Sequence, residues 1–226
     1  MVTVDFIERS KLRARSLKTQ FRCSVLANLR RSYPENVDAA KAIFIHVPKT
    51  AGGSFYKLIG YTRIGHVSYR WYEARDPDKF RRYFKFSFVR NPWDRLVSAF
   101  FYLKKGGCNA MDKQWALSNI SQYDTFESFV EGWINEENIE KYFHFIPQHK
   151  FVCDEALTLK VDYLGRFETI QTDFDAIAAK LCIEHQLPHV NKSQRQAYQT
   201  YYTDRTRDIV QNVYRTDIER FKYSFE

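Results

Sequence analysis

Two short apolar runs, each breaking off just before a basic loop and a helix start, constrain this chain more than anything else in it. The first is Ala42-Ile43-Phe44-Ile45-His46-Val47, and it ends at Pro48, which cannot continue a central ladder. A run this apolar predicts a parallel strand buried on both faces. Lys49-Thr50-Ala51-Gly52-Gly53-Ser54 follows, and Phe55 to Ile59 reads as a helix. The second run, Phe84 to Val89, leads into Arg90-Asn91-Pro92 and a helix through Leu103 that Lys105-Gly106-Gly107 ends.

Strand, glycine-containing loop and helix form a phosphate cradle, because amides at a helix start point at the anion and the helix dipole favours it. Gly52 and Gly53 allow close backbone approach. Lys49 adds a point charge, and Thr50 and Ser54 add hydroxyls. The nucleotide-triphosphatase pattern G-x-x-x-x-G-K-[ST] puts Lys after the glycines. Here Lys precedes them, and no apolar run ending in Asp offers a magnesium partner. The loop is therefore expected to hold phosphate without a metal. At the second site Asn91 is a favoured N-cap with Pro92 at N1. Asn91, Asp94, Arg95 and Ser98 share a helical face, and Arg90 and Ser98 are placed to converge on one anion. The plain alternatives are a tight turn with an incidental Lys, and a capped helix whose Arg pairs with a carboxylate.

Further along, Val161 to Leu164 is a third expected strand. Helices are expected over Phe126, Phe129, Val130, Trp133 and Ile134, started by Asp124 and Glu127 in a capping-box-like arrangement. Another covers Phe174, Ile177, Ala178 and Leu181, capped by Thr172, and the last starts near Thr203. The alternation predicts an α/β fold: a P-loop-like three-layer domain with a central, mostly parallel sheet flanked by helices. Two anion loops at the carboxyl ends of two parallel strands suggest a ligand with two separated phosphates.

The 35 Lys and Arg outnumber the 27 Asp and Glu, giving +8. That balance suggests anionic partners, but the positive residues are dispersed rather than clustered, which argues against nucleic acid. Residues 1–40 are read as a basic, helical N-terminal extension and 41–226 as the main domain. The extension is either a solvated helix face or a peripheral contact with a membrane surface or polyanion. No run of 18 apolar residues predicts a transmembrane helix, and Met1 to Ser10 lacks the apolar core of a signal peptide. Cys23, Cys108, Cys153 and Cys182 show no metal or redox spacing and are expected as reduced thiols.

The two loops resemble known segments. His46-Val47-Pro48-Lys49-Thr50-Ala51-Gly52-Gly53-Ser54 resembles the 5′-phosphosulfate-binding loop of the carbohydrate sulfotransferases. Phe88-Val89-Arg90-Asn91-Pro92-Trp93-Asp94-Arg95-Leu96-Val97-Ser98-Ala99 resembles their 3′-phosphate-binding segment. Gly65-His66-Val67-Ser68-Tyr69 is similar to a segment of the uronyl 2-O-sulfotransferases. The likeness continues through His144-Phe145-Ile146-Pro147-Gln148, Gly165-Arg166-Phe167-Glu168, Val190-Asn191-Lys192-Ser193 and Asp217 to Tyr223, so that it spans roughly residues 42–225. Gly53 departs from the pattern, where Thr is more usual, and Ile64 stands where a second His is common.

The resemblance implies transfer of a sulfuryl group from 3′-phosphoadenosine 5′-phosphosulfate (PAPS) to a carbohydrate hydroxyl, on an oligosaccharide, polysaccharide or glycolipid. It implies that Lys49, Thr50, Ala51, Gly52, Gly53 and Ser54 bind the 5′-phosphosulfate and that Arg90 and Ser98 bind the 3′-phosphate. Asn191, Ser193 and Arg195 would lie in a loop closing over the nucleotide. Lys49 would stabilise the leaving phosphate. The acceptor needs a base near neutral pH, which suits histidine with its ordinary pKa of about 6.5. His66 is the candidate on the strength of its segment, with Glu73 as fallback. His46 is expected as a buried strand residue, and Gln148 and His149 as possible acceptor contacts. With no anchor in view, a cytoplasmic enzyme is expected, or a piece of a lumenal one. A nucleotide kinase or ATPase and a polyanion-binding module remain the competing classes, separable by magnesium and salt dependence.

Overall fold

Residues 33–53, 55, 64–183 and 196–226 are described by a computed structural model of the chain. Three strands, β1 (Ala42–Ile45), β2 (Phe84–Val89) and β3 (Tyr163–Arg166), form one sheet in the order β1-β2-β3. Both pairings are parallel: Ala42 faces Phe84 and Ile45 faces Ser87, while Phe86 faces Tyr163 and Val89 faces Arg166. β1 and β2 are almost wholly buried, as strands covered on both faces require, while β3 at the end of the strand order is half-buried apart from Gly165. The expected parallel α/β architecture is therefore present.

Three strand boundaries differ from expectation: β1 ends two residues early, and β3 both starts and ends two residues beyond the expected Val161 to Leu164. The first run leaves the ladder at Ile45, although His46 and Val47 stay buried. The third strand begins at Tyr163 rather than Val161. Asp162 meets Lys85 with both its backbone amide, at 2.8 Å, and its carboxylate, which accepts from Lys85 N–H at 2.7 Å. That side-chain bond stands in for regular strand pairing, and the ladder starts one residue later.

Helices flank the sheet. In chain order they are α1 (Glu35–Ala40), α2 (Tyr69–Arg75), α3 (Pro77–Arg82), α4 (Pro92–Lys104), α5 (Ala110–Asn119), α6 (Phe126–Trp133), α7 (His149–Val152), α8 (Ile170–Leu181), α9 (Asp204–Val213) and α10 (Arg215–Phe221). One apolar cluster surrounds the strands, with Phe44, Phe55, Phe86, Phe88 and Phe174 at its centre. A second gathers Trp93, Phe100, Phe129, Trp133, Phe145 and Val210 around α4. Each buried aromatic contributes on the order of 1.5–3 kcal/mol. Tyr33 and Val37 are buried against the first cluster, and the Tyr33 hydroxyl donates to the carbonyls of Tyr72 and Asp76.

Two of the expected helix caps are present and two are displaced along the chain. Asn91 caps α4 by accepting from Trp93 N–H, and Thr203 caps α9 in a reciprocal box with Thr206. For α6 the box is Thr125 with Ser128, one residue beyond the expected Asp124 and Glu127. The α8 helix begins two residues before Thr172, after a 3-10 turn over Phe167–Thr169. A break at Tyr214 separates α9 from α10, and the buried Tyr214 hydroxyl donates to Phe145 O at 2.8 Å. Cys108, Cys153 and Cys182 are free thiols; Cys23 lies outside the described residues. Among the described residues no helix is long and apolar enough to cross a membrane.

Candidate active site

The first loop turns sharply past β1. Lys49 and Ala51 adopt left-handed backbone conformations, with φ of +71° and +63°. Residues other than glycine adopt this region infrequently, at helix ends such as Lys41, Cys182 and Lys222 and at functional sites. Alternation of hand over successive residues turns backbone N–H groups inward, which makes an anion-binding concavity. Thr50 is fully buried and its hydroxyl donates to Val47 O at 2.8 Å. It therefore shapes the loop, and its backbone amide is what it can offer an anion. Helical conformation begins at Gly52. Nothing crowds a Cβ placed on Gly53. Ser54 lies outside the described residues, as do Asn191, Ser193 and Arg195.

The second loop follows β2 and is fastened to the first. The Arg90 guanidinium donates from Nε to Asp94 Oδ2 at 2.7 Å and from Nη1 to Lys49 O at 3.0 Å. It also stacks over the Phe167 ring, 3.9 Å from its centroid. The carboxylate pairing weighed for this Arg is thus present, in the same fork that reaches the Lys49 loop. Arg95, fully buried one turn on, donates to Pro48 O at 3.0 Å, to Ile146 O at 2.9 Å and to His144 O at 3.2 Å. Ser98 is half-buried further along the helix.

Around Arg90 the backbone is clamped. Gln148 accepts from Arg90 N–H at 2.9 Å and donates to Arg90 O at 2.8 Å. Glu168 accepts from Asn91 N–H at 2.7 Å, and Asn91 Nδ2 donates to Ser224 O at 2.7 Å. Gln148 is wholly buried, which removes it from the acceptor-contact role suggested by sequence. His149 donates its backbone N–H to Asp217 at 2.9 Å, and its ring Nδ1 lies 2.7 Å from the same buried carboxylate. The motifs beyond the two loops thus brace the second one.

The histidines gather beside the first loop. His66 Nδ1 lies 3.3 Å from His46 O. The tautomer that donates there carries its lone pair on Nε2. The His66 ring stacks on Phe143 at 4.8 Å, and its centroid lies 4.3 Å from that of His46 and 5.8 Å from that of His144. His46 is buried, as expected. His144 is buried too, and its pKa is pushed down to about 3. Burial is the main cause, the Lys49 ammonium and the neighbouring His66 add to it, and Asp112 opposes it. The 3.5 Å approach of His144 Nε2 to Asp112 Oδ1 therefore joins a neutral ring to the carboxylate. Glu73, the fallback base, faces Lys160 at 3.6 Å.

Sequence reasoning did not find Asp112, Tyr102 or Tyr142. Asp112 is buried and accepts from Tyr102 Oη at 2.6 Å and from the Tyr142 hydroxyl. The sequence carries no signal for this cluster: that Gly107, at φ +66°, approaches so closely that a Cβ there would lie 2.2 Å from Asp112 Cβ is visible only in the fold. The role of Arg95 was also missed, since nothing in the helical face shows that its donors go to backbone carbonyls.

The model of the sulfotransferase family matches residues 37–224. The chain belongs to the sulfotransferase family. Among curated relatives of this family member, a carbohydrate sulfotransferase 14 from Danio rerio is 25% identical over 142 residues. That match covers 57% of this chain and 37% of the relative, so the chain corresponds to little more than a third of it. An uncharacterized protein from Archaeoglobus fulgidus is 28% identical over 110 residues, covering 48% of this chain and 75% of that protein. No solved structure gives a significant match to this sulfotransferase-family chain.

Proposed function

We propose that this chain transfers a sulfuryl group from PAPS to a carbohydrate hydroxyl by in-line displacement, without a metal, with His66 as the base. The observation that carries the reading is the fastening of the two loops through Arg90 to Lys49 O and Arg95 to Pro48 O. Family membership supports sulfuryl transfer, and the name of the Danio rerio relative supports a carbohydrate acceptor.

The backbone amides around Lys49 and Ala51 would hold the 5′-phosphosulfate, with Gly52, Gly53 and Ser54 at the helix start. Arg90 and Ser98 would hold the 3′-phosphate. His66 Nε2 takes the acceptor's proton as the acceptor oxygen bonds to sulfur. The bond from sulfur to the bridging oxygen breaks, and its electron pair stays with the leaving 5′-phosphate. Lys49 stabilises the charge that grows there, in a site where fixed charges act strongly. Positioning supplies much of the rate. The free thiols Cys108, Cys153 and Cys182 support a reducing, cytoplasmic location, which cell fractionation would check. A peripheral membrane contact through residues 1–40 remains part of the proposal, testable by vesicle co-sedimentation.

The deciding experiment is calorimetric titration with 3′-phosphoadenosine 5′-phosphate, without magnesium and with ADP as control. Binding that requires the 3′-phosphate, followed by transfer from labelled PAPS to glycans, is expected. Equal binding of ADP, or binding only with magnesium, would move the chain to the kinase class. Strongly salt-dependent binding of polyanions without nucleotide preference would instead make it a polyanion module.

A further inference from the structure

We propose that Tyr102 is a positioning residue for Lys49, and that Asp112, through its bond to the Tyr102 hydroxyl, sharpens that hold. The inference rests on the reading of Lys49 as the group facing the leaving phosphate. Tyr102 lies on α4, one helical turn beyond Ser98, and Lys49 Nζ sits 3.7 Å from the centre of its ring. Such a contact is a strong cation–π geometry. The Lys49 backbone is held as well, since its carbonyl accepts from Arg90. Main chain and ammonium are thus both fixed, and a long side chain that would otherwise sample many rotamers is set in one.

Asp112 explains the choice of Tyr over Phe. The Tyr102 hydroxyl donates to Asp112 Oδ2 at 2.6 Å, a short charge-assisted bond. A phenol donating to an anion carries more electron density in its ring, and the negative π face that attracts an ammonium is strengthened. The carboxylate is well kept for this purpose. Burial pushes its pKa upward, but the Tyr102 and Tyr142 hydroxyls and the Cys108 amide outweigh it and hold Asp112 below its ordinary value. Asn109 Nδ2 donates to the same oxygen at 3.1 Å. Burial, followed by the bond to Asp112, holds the Tyr102 phenol above its ordinary pKa, so it remains a donor.

The test is a double-mutant cycle on transfer from labelled PAPS, with Tyr102→Leu, Lys49→Ala and both together. Tyr102→Leu should lower kcat about 10-fold with little change in KM, and less than about 2-fold when Lys49 is already Ala. Equal losses in the two backgrounds would overturn the proposal. If Tyr102→Leu does not fold, Tyr102→Phe takes its place in the cycle; it keeps the ring, loses the Asp112 bond, and should cost about 2- to 3-fold, again only when Lys49 is present. A readout independent of catalysis is the Lys49 ε-methylene resonance of lysine-labelled, ligand-free protein, assigned by its loss in Lys49→Ala. Ring current should shift it upfield, and an ordinary lysine position would sink the inference. If Lys49→Ala leaves transfer intact, the donor reading fails instead, while that resonance still decides whether Tyr102 holds Lys49.

Discussion

Gly52 lies against the imidazole of His46, so close that a Cβ on the glycine would come within 1.9 Å of Nε2. The His46 ring thereby forms the floor under the start of the helix that closes the first loop. Gly52→Ala is expected to force the two apart and to cost about 1–3 kcal/mol, the usual penalty for overpacking. His46→Ala in the same chain should return much of that loss. Gly53→Ala meets open space and should be neutral or stabilising by up to about 1 kcal/mol through helix propensity. Thermal melts of the three variants check this, and a harmless Gly52→Ala would refute the packing argument.

Arg90 joins the Asp94 carboxylate to the Lys49 carbonyl with one planar fork. Arg90→Ala should weaken binding of the 3′-phosphorylated nucleotide by about 10- to 100-fold, the range of a charged hydrogen bond. Its dephosphorylated analogue should lose much less. Arg90→Lys should restore little, since an ammonium cannot span both partners. Equal losses for both nucleotides in calorimetry would remove Arg90 from the 3′-phosphate.

Arg95 has a different task. Its three carbonyl partners, on Pro48, His144 and Ile146, would be left without a donor by Arg95→Leu. The cost should be about 3 kcal/mol or more in denaturant unfolding. A midpoint within experimental error of wild type would show that water or another donor replaces the guanidinium.

His66→Ala should cut turnover about 100-fold or more, in the range of general-base removal, with nucleotide affinity close to wild type. The Nδ1 contact to His46 O orients the ring. Retained turnover would give the base role to another group.

Stability should fall on the acid side of neutrality. His144 is held to about 3 in the folded chain, against about 6.5 when unfolded. The unfolded chain therefore takes up a proton that the folded chain refuses. Stability from this group is intact above pH 6.5 and is lost as pH falls from there toward 3, by at most about 1.4 kcal/mol per pH unit. Asp112 and Asp173, both held below their ordinary values, add losses in the same direction at lower pH. Unfolding midpoints at pH 7.5 and 5 should differ measurably, and His144→Asn should shrink the difference. A slope unchanged by that substitution would point to other groups.

Elements whose residues carry their own signal were legible in the sequence. The bounds of β2 matched because every residue from Phe84 to Val89 is apolar or flanked by apolar neighbours, and Asn91-Pro92 marks the helix start unambiguously. The start of β3 was misread because its limit is a side-chain bond from Asp162 to a strand far away in the chain. The Thr125 cap was missed by one residue because Asp124 offers the same chemistry next door. At the site, the loops were legible and their environment was not. No spacing relates Tyr102 to Asp112, or Arg95 to three carbonyls on other segments, because those contacts exist only once tertiary packing is set. Nor does any residue type announce that Lys49 and Ala51 take left-handed conformations.

The parallel register of β1 and β2 acts as a caliper. Ile45 faces Ser87, and carrying that pairing onward brings Pro48 level with Arg90. The gap between the jaws is then set by adjacent strands, about 4.8 Å apart, and no surface side chain can change it. A one-residue slip would exchange the side chains packed on the two faces of the sheet, so the next available setting is a jump of two residues. Selection for a ligand with differently spaced charges would have to act on strand pairing itself, which makes this dimension far slower to evolve, or to engineer, than the choice of what the second substrate is.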